Sequence, residues 1–515
     1  MLFTQFISKS ELTSLVPEFT EAIFGIDRER VTEQLKPIAD ILIDNIVCFI
    51  EYPYVDKFHR DSYYSFFSKK HNHYDKNSIR ISFFNEELDV KNYFSNIKNN
   101  VIEDYFLGFI SLRPTTYRII GHSFINPRAL KNNNFVCCLS SKKVLINGRQ
   151  FTIHGFPYCS QDNESISCSE AAIINLFDYF GNKYSEYSTI LPSQVAKVLS
   201  KQSYQRQLPT NGLPTENISY VLKKMGFGTV VYSCDDTNRS SDVFKTNEFK
   251  ELMYIYIESG IPIIATLSSV KSHHAVIIIG RKDIKDDLSY KKKKSIFKSS
   301  NKEYIFSSIF KDLLVMDDNH PPYKMIDYDK PIFNSKTKEL YQFKSFIVPL
   351  YSKVHLDAFQ FKKFFYTIIE NFETDPETKH VKFRGEKNSI YRFFLASSRS
   401  YKNYIVTSLS ISDEFKAIIV DKSMPKFIWI GEIINGDMIS VEQKVESIIA
   451  VDATESGLTG HLIFATNSRH LIINNTHLSD EEESPNKKYQ IFDFGNEIFY
   501  TFASNLKGVH TQWKN

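Results

Sequence analysis

One short stretch of the chain combines residue types that can carry out nucleophilic chemistry. In "PYCSQDNESISCSEAAIINLFDYFG", Ser167, Cys168 and Glu170 fit the S-x-x-E capping box of a helix start. Cys168 is then the first helical residue, where free backbone N–H groups and the helix dipole favour the thiolate form of a cysteine. Gln161, earlier in the same stretch, carries a side-chain amide that can donate to an oxyanion. The stretch therefore predicts a nucleophile with an oxyanion donor beside it.

A base and an orienting acid follow later in the chain. In "SHHAVIIIG", His273 and His274 open an apolar strand, and we prefer His274 as the base because strand alternation turns His273 to the other face. The next strand, "DLLVMDD", ends in Asp317 and Asp318. Either carboxylate can accept the second imidazole N–H and fix the histidine tautomer. Taken singly, each residue is also typical of packing or of a turn, but their order predicts a nucleophile, a base and an orienting acid.

Helices and strands have to position these side chains. Apolar periodicity predicts a helix over 168–180 that ends at Gly181, a second helix in "PSQVAKVLSKQ", and a third in "GLPTENISYVLKKMGF" with Thr215 as its cap. Strands are predicted afterwards in "TVVYS", "IPIIATL", "HAVIIIG" and "DLLVMDD". Helices followed by antiparallel-type strands indicate the α+β class.

The order of the chemical residues resembles that of papain-like cysteine peptidases. Over residues 150–330 the chain is most similar to the bacteriocin-processing peptidase domains that act on double-glycine leaders, in which a glutamine and a cysteine precede a helix and an "HAVIIIG"-like strand carries the base. The resemblance implies a helix carrying the cysteine packed on an antiparallel sheet that carries the histidine and the aspartate. It implies these roles: Cys168 as nucleophile, His274 as base, Asp317 or Asp318 as orienting residue, and Gln161 as oxyanion donor.

The length of 515 residues predicts about three domains. We expect an N-terminal α+β module over 1–135, a papain-like catalytic domain over 136–350 and a C-terminal α+β module over 351–515. The turn-rich "KNNNF" marks the first limit. The two flanking modules look like parts of a larger family of uncharacterised bacterial proteins.

Composition limits the partners and the compartment. With 63 Lys and Arg against 60 Asp and Glu, the net charge of +3 gives no global argument for nucleic acid or an anionic membrane. The run Lys291–Lys294 predicts a solvated insertion, with an anionic partner as the alternative. No stretch reads as a signal peptide or is apolar for long enough to span a bilayer.

The six cysteines are too few for a disulfide framework, and no CxxC pair supports a zinc site. Cys137, Cys138 and Cys159 are expected to be packing residues. We therefore expect a protein of the reducing cytoplasm that needs neither metal nor cofactor.

These observations leave three functions open. The first is a cytosolic cysteine peptidase that cleaves a peptide or isopeptide bond in a protein or peptide substrate. The second is an acyltransferase or glutamine deamidase that uses the same thiol, base and oxyanion donor. The third is a non-catalytic binding or scaffold protein. The large flanking modules would serve a regulatory protein partner, for example in a bacterial stress or antiviral defence effector.

Overall fold

Helices and mostly antiparallel strands occur along the whole chain, which confirms the predicted α+β class. The structure is a computed structural model. It describes residues 3–85, 101–202, 206–234, 243–244, 246–283, 303–333, 338–383, 389–435, 444–456, 462–474 and 488–509. The predicted insertion with Lys291–Lys294 lies outside the described residues.

The helices of the described residues are numbered in chain order. They are α1 (Leu15–Phe24), α2 (Arg28–Ile41), α3 (Lys57–Ser65), α4 (Val101–Tyr105), α5 (Cys168–Lys183), α6 (Pro192–Leu199), α7 (Thr215–Lys224), α8 (Thr246–Glu258), α9 (Ala358–Thr374), α10 (Ser398–Thr407) and α11 (Asp413–Asp421). No helix in this part of the chain is both long enough and apolar enough to cross a bilayer.

The strands form three sheets, which we call the first, central and third sheet. The first sheet contains β1 (Phe3–Ser8), β2 (Ile46–Tyr54), β3 (Ser78–Asn85), β4 (Phe106–Leu112), β5 (Ser123–Ile125), β7 (Ser140–Ile146) and β8 (Arg149–Tyr158). The central sheet contains β6 (Phe135–Cys137), β9 (Val230–Cys234), β10 (Val243–Phe244), β11 (Ile263–Ser268), β12 (His273–Lys282), β14 (Asp312–Met316), β15 (Lys324–Asp327) and β16 (Gln342–Val348). The third sheet contains β13 (Glu303–Ile305), β17 (Ser389–Ser397), β18 (Phe427–Asn435), β19 (Lys444–Asp452), β20 (Leu462–Asn467), β21 (His470–Asn474), β22 (Tyr489–Asp493) and β23 (Phe499–Tyr500).

The order of strands in the central sheet determines where the site forms. It runs β10-β9-β16-β11-β12-β14-β15, and β6 pairs with β12. The strand β12 is antiparallel to both β11 and β14, so the start of β12 and the end of β14 lie at the same edge. The register pairs Ile277 with Met316, which brings the residues that follow Met316 towards the start of β12.

Two buried helices lie between the sheets. Helix α5 contacts β12 of the central sheet and β7 and β8 of the first sheet, and every residue from Ser169 to Phe180 is buried. Helix α8 contacts β12 of the central sheet and β17 of the third sheet. Since both helices are covered on opposite sides, their apolar residues extend around the helix instead of forming one stripe.

Two details of the helices differ from the predictions. Helix α5 does not end at Gly181 but continues to Lys183. A Cβ atom at Gly181 would lie 2.8 Å from the backbone nitrogen of Thr189, so this glycine permits a close approach of two chain segments and does not cap the helix. Thr215 is the first residue of α7 and does not cap it, because its hydroxyl bonds to Ser345 in the central sheet at 3.1 Å.

Sheet membership does not follow the predicted domain limits. The hairpin of β7 and β8 lies within 136–350, yet β8 pairs with β5 of the first sheet. The strand β13, from the same range, pairs in parallel with β17 of the third sheet. In the other direction, β6 begins before residue 136 and pairs with the histidine-bearing strand β12.

A buried ion network connects the central and third sheets. Arg281 of β12 donates to Glu258 at the end of α8. Arg392 of β17 donates to Glu258 and to Glu432 of β18, each at 2.8 Å. Burial alone would raise the pKa of Glu258, but the two arginine charges hold it below its ordinary value. Glu258 is therefore an ionised carboxylate that is paired with one arginine from the central sheet and one from the third sheet.

Candidate active site

Cys168 begins helix α5, as the capping-box pattern predicts. The Glu170 carboxylate reaches back and accepts the backbone N–H of Ser167 at 2.7 Å, and it also accepts the Thr210 hydroxyl at 2.7 Å. Cys168 is half-buried, whereas the rest of the first turn is buried. The thiol is therefore the part of the helix start that is open to a groove.

His274 lies at the start of β12, with 9% of its surface exposed, while His273 is exposed. Its Nε2–H donates to Oδ1 of Asp317 at 2.9 Å. His274 and Cys168 line the same groove, and the Cys168 thiol is among the groups that raise the pKa of His274. Because Nε2 is bonded to Asp317, the Nδ1 atom is the ring nitrogen left for the thiol. The structure thus brings Cys168, His274 and Asp317 together.

The charges of this group favour a protonated imidazole. Burial alone would lower the pKa of His274, but the charge and hydrogen bond of Asp317, with smaller contributions from Cys168 and Asp318, raise it well above its ordinary value. Burial alone would raise the pKa of Asp317, but His274 and His320 hold it well below the ordinary range. An imidazolium beside an ionised carboxylate is the arrangement that stabilises a neighbouring thiolate.

Asp317 is held by two residues that sequence reasoning missed. The backbone N–H of Asn319 donates to Oδ1 at 3.0 Å, and Nδ1 of His320 donates to Oδ2 at 2.7 Å. The available signal was the turn "DDNH", because an aspartate often accepts the backbone N–H two residues later. The two bonds fix the carboxylate that orients His274.

Gln161 lies in the same groove as Cys168, and Asn319 positions it. Its Nε2 donates to Oδ1 of Asn319 at 2.7 Å, and Arg118 donates to the same oxygen at 3.4 Å. An amide nitrogen carries two N–H groups, so one remains for an oxyanion. Asn319 thus connects the predicted oxyanion donor to the carboxylate that orients the base.

Asp318 does not orient His274. Its Oδ1 atom lies 4.0 Å from Nε2, too far for a hydrogen bond. The carboxyl group is buried, and neither oxygen bonds to another described residue. One nitrogen of His274 and one oxygen each of Asp317 and Asp318 lie within 4.8 Å of one another, so these are the described side chains that could hold a metal ion.

The groove in front of the thiol has a volume of about 870 Å³. Three hydroxyl groups line one side of it: Ser345 bonds to Thr266 at 2.6 Å and to Thr215 at 3.1 Å. The segment 210–214 also lines the groove, and the backbone N–H of Thr210 donates to the Glu164 carbonyl at 2.9 Å.

The arrangement contains the groups that acyl-enzyme chemistry uses. A thiol at a helix start, an imidazole held by a carboxylate and an amide donor in one groove are the parts that such chemistry needs. Neither the protein-family models nor the curated proteins that were compared with this chain match it. The roles of these residues are therefore argued from their own geometry.

Proposed function

We propose that this protein is a cysteine hydrolase that cleaves a peptide or isopeptide bond, with a papain-like arrangement of its central region. The observation that carries the proposal is that Cys168 and His274 line one open groove, while the buried Asp317 accepts the other imidazole N–H. Helix α5 carries the cysteine and packs on the sheet that carries the histidine and the aspartate. This is the packing that the family resemblance implies.

The reaction proceeds through a thioester. The Cys168 thiolate attacks the carbonyl carbon, and the oxyanion accepts hydrogen bonds from Gln161 and from the Cys168 backbone N–H. The His274 imidazolium donates its proton to the leaving amine as the C–N bond breaks. The neutral imidazole then takes a proton from water, which attacks the thioester; the acid and the Cys168 thiolate are released, and the thiolate–imidazolium pair is restored. Asp317 holds the ring in one orientation throughout.

Acyl transfer and glutamine deamidation remain alternatives because they share the same acyl-enzyme. In transfer, an amine replaces water as the acceptor. In deamidation, the leaving group is ammonia from a side-chain amide. Mass spectrometry of candidate substrates separates the three: hydrolysis gives fragments, transfer gives a conjugate, and deamidation adds about 1 Da without cleavage.

The compartment and the partners are part of the proposal. None of the six cysteines forms a disulfide, which is consistent with a reducing cytoplasm. The first and third sheets would bind the substrate or a regulatory protein partner, as expected for a conditionally activated effector.

Alkylation of Cys168 is the test. We expect iodoacetamide at about pH 6 to label Cys168 at least about tenfold faster than any other cysteine, because a thiolate reacts and a thiol does not. Cys168→Ala should abolish the fast label. The matched control is Cys234→Ala, since Cys234 is the other half-buried cysteine, and this change should leave the fast label unaltered.

Two outcomes would contradict the proposal. The first is a fast label that persists in the Cys168→Ala protein. The second is a wild-type protein whose Cys168 reacts no faster than Cys234, which would favour a binding or scaffold protein.

A further inference from the structure

The candidate site contains two adjacent carboxyl groups beside one base, and they differ in their bonding. Asp317 accepts three hydrogen bonds, from His274, the Asn319 backbone and His320. Asp318 has only 5% of its surface exposed, yet neither of its carboxyl oxygens bonds to another described residue. A buried carboxyl group without donors is unusual, because an ionised carboxylate in that position loses its hydration without compensation.

The position of Asp318 places it within electrostatic reach of the base. Oδ1 of Asp318 lies 4.0 Å from Nε2 of His274. A negative charge at this distance in a buried site favours the protonated form of an imidazole. Asp318 therefore acts on His274 through its charge and not through a hydrogen bond.

The surroundings favour the neutral form of Asp318 at low pH. The pKa of Asp318 is raised to about 7. Burial is the main cause, the His274 charge opposes the rise, and the Asp317 charge adds to it. Two neighbouring carboxyl groups in a dry site do not ionise together easily, so one of them keeps its proton. Since Asp317 is fully bonded, Asp318 is the group that keeps it.

The charged and titratable groups around Asp318 come from several elements. They are His274 of β12, Asp317 and His320 at the end of β14, Arg118 between β4 and β5, Tyr158 and Cys159 at the end of β8, and Glu33 of α2. The nearest hydroxyl, that of Tyr158, donates to the backbone carbonyl of His320 at 2.7 Å and not to the carboxyl group.

A small cavity adjoins Asp318 on the side away from the groove. Its volume is about 50 Å³, and Arg118, Tyr158 and His320 also line it. None of the residues that line this cavity also lines the groove in front of Cys168.

We propose that Asp318 acts on His274 through its charge, as a second residue that controls the base after Asp317. Asp318 is neutral while the thiolate forms. When Asp318 ionises at higher pH, its negative charge keeps His274 protonated further into the alkaline range. The inference rests on the proposed thiolate–imidazolium pair. At acidic pH the neutral Asp318 does not repel the Cys168 thiolate. Above neutral pH its negative charge stabilises the imidazolium, which must still donate a proton to the leaving amine.

The experiment measures the rate of Cys168 alkylation by iodoacetate between about pH 4 and about pH 10. The reagent is an anion, so the reaction is favoured while His274 is positively charged and slows when the imidazolium loses its proton. Asp318→Asn imitates the neutral acid at every pH. We expect this variant to keep the wild-type rate on the acidic side and to lose rate about one pH unit earlier on the alkaline side.

A surface variant serves as the control. Asp421→Asn removes one negative charge from an exposed position at the end of α11. It should leave both sides of the rate profile unchanged.

Three results would overturn the inference. An Asp318→Asn profile identical to wild type shows that Asp318 does not act on the base, and a loss of rate at all pH values shows that its charge is needed from the start. A chelator that shifts the wild-type profile as Asp318→Asn does would assign the effect to a metal ion. If wild-type Cys168 reacts like an ordinary thiol, the proposed function fails instead, and the two failures are distinguishable.

Discussion

Two buried histidine–aspartate pairs lie near helix α5, one of them through Asp178 of the helix itself, and only the other pair belongs to the candidate site. Nε2 of His122 donates to Asp178 at 2.9 Å, the same distance as between His274 and Asp317. Both aspartates have no exposed surface. The pairs therefore cannot be distinguished by distance or by burial.

The two pairs differ in the side chain that lies beside them. Lys142 donates to both oxygens of Asp178, at 2.8 and 3.1 Å, and neutralises it. Burial and the Lys142 charge lower the pKa of His122. The other pair has a thiol and a groove in place of the lysine. A histidine–aspartate pair is thus a candidate for catalysis when no lysine neutralises the carboxylate and when the imidazole faces a nucleophile.

The largest expected effect separates the pairs by reactivity. Asp317→Asn should lower the iodoacetamide labelling rate of Cys168 at about pH 6 towards that of an ordinary thiol, by up to about 300-fold, because an amide neither carries the charge nor fixes the tautomer. The rate is measured by peptide mapping. Asp178→Asn should keep the rate of the folded protein, and equal losses in both variants would remove the distinction between the pairs.

The next effect separates the pairs by stability. Asp178→Asn leaves the half-buried Lys142 without a counter-charge, so we expect the free energy of unfolding to fall by about 3 kcal/mol. Urea denaturation followed by circular dichroism measures it. Asp317→Asn leaves no lysine unpaired and should cost less. A smaller loss for Asp178→Asn than for Asp317→Asn would contradict the structural role of the first pair.

The smallest effect is a pH dependence of stability. Because the folded-state pKa of His122 lies below its ordinary value, the unfolded chain binds a proton that the folded chain does not. Stability should therefore fall as the pH drops below about 6.5, by up to about 1.4 kcal/mol per pH unit from this group. His122→Gln should lack this contribution. Parallel urea titrations at several pH values give the difference, and identical slopes for both proteins would rule the contribution out.

Much of the candidate site was predictable because its signals are local. The helix start at Cys168 follows from the capping box, and the burial of His274 with exposure of His273 follows from strand alternation. The choice between Asp317 and Asp318 was not predictable. Adjacent residues carry the same chemistry, and only the packing of β14 beside β12 decides which one reaches the imidazole.

Other features depend on contacts that sequence patterns do not contain. The hairpin of β7 and β8 has the pattern of any hairpin, and its membership of the first sheet depends on pairing with β5 across a connection that includes β6. Glycine often ends a helix, so the sequence predicts a helix end at Gly181. In the structure, the small size of Gly181 instead allows the backbone of Thr189 to approach closely. Such assignments need the tertiary structure.

The ion network of Glu258, Arg281, Arg392 and Glu432 has a consequence for truncated versions of the protein. Arg281 lies on the same strand as His274, and half of the network belongs to the third sheet. A shortened chain that stops near residue 350 would keep Glu258 and Arg281 but lose Arg392, and it would expose the surface of α8 that faces β17. The central sheet is therefore expected to depend on its C-terminal neighbour for stability, so a cut between them would remove more than a separate domain.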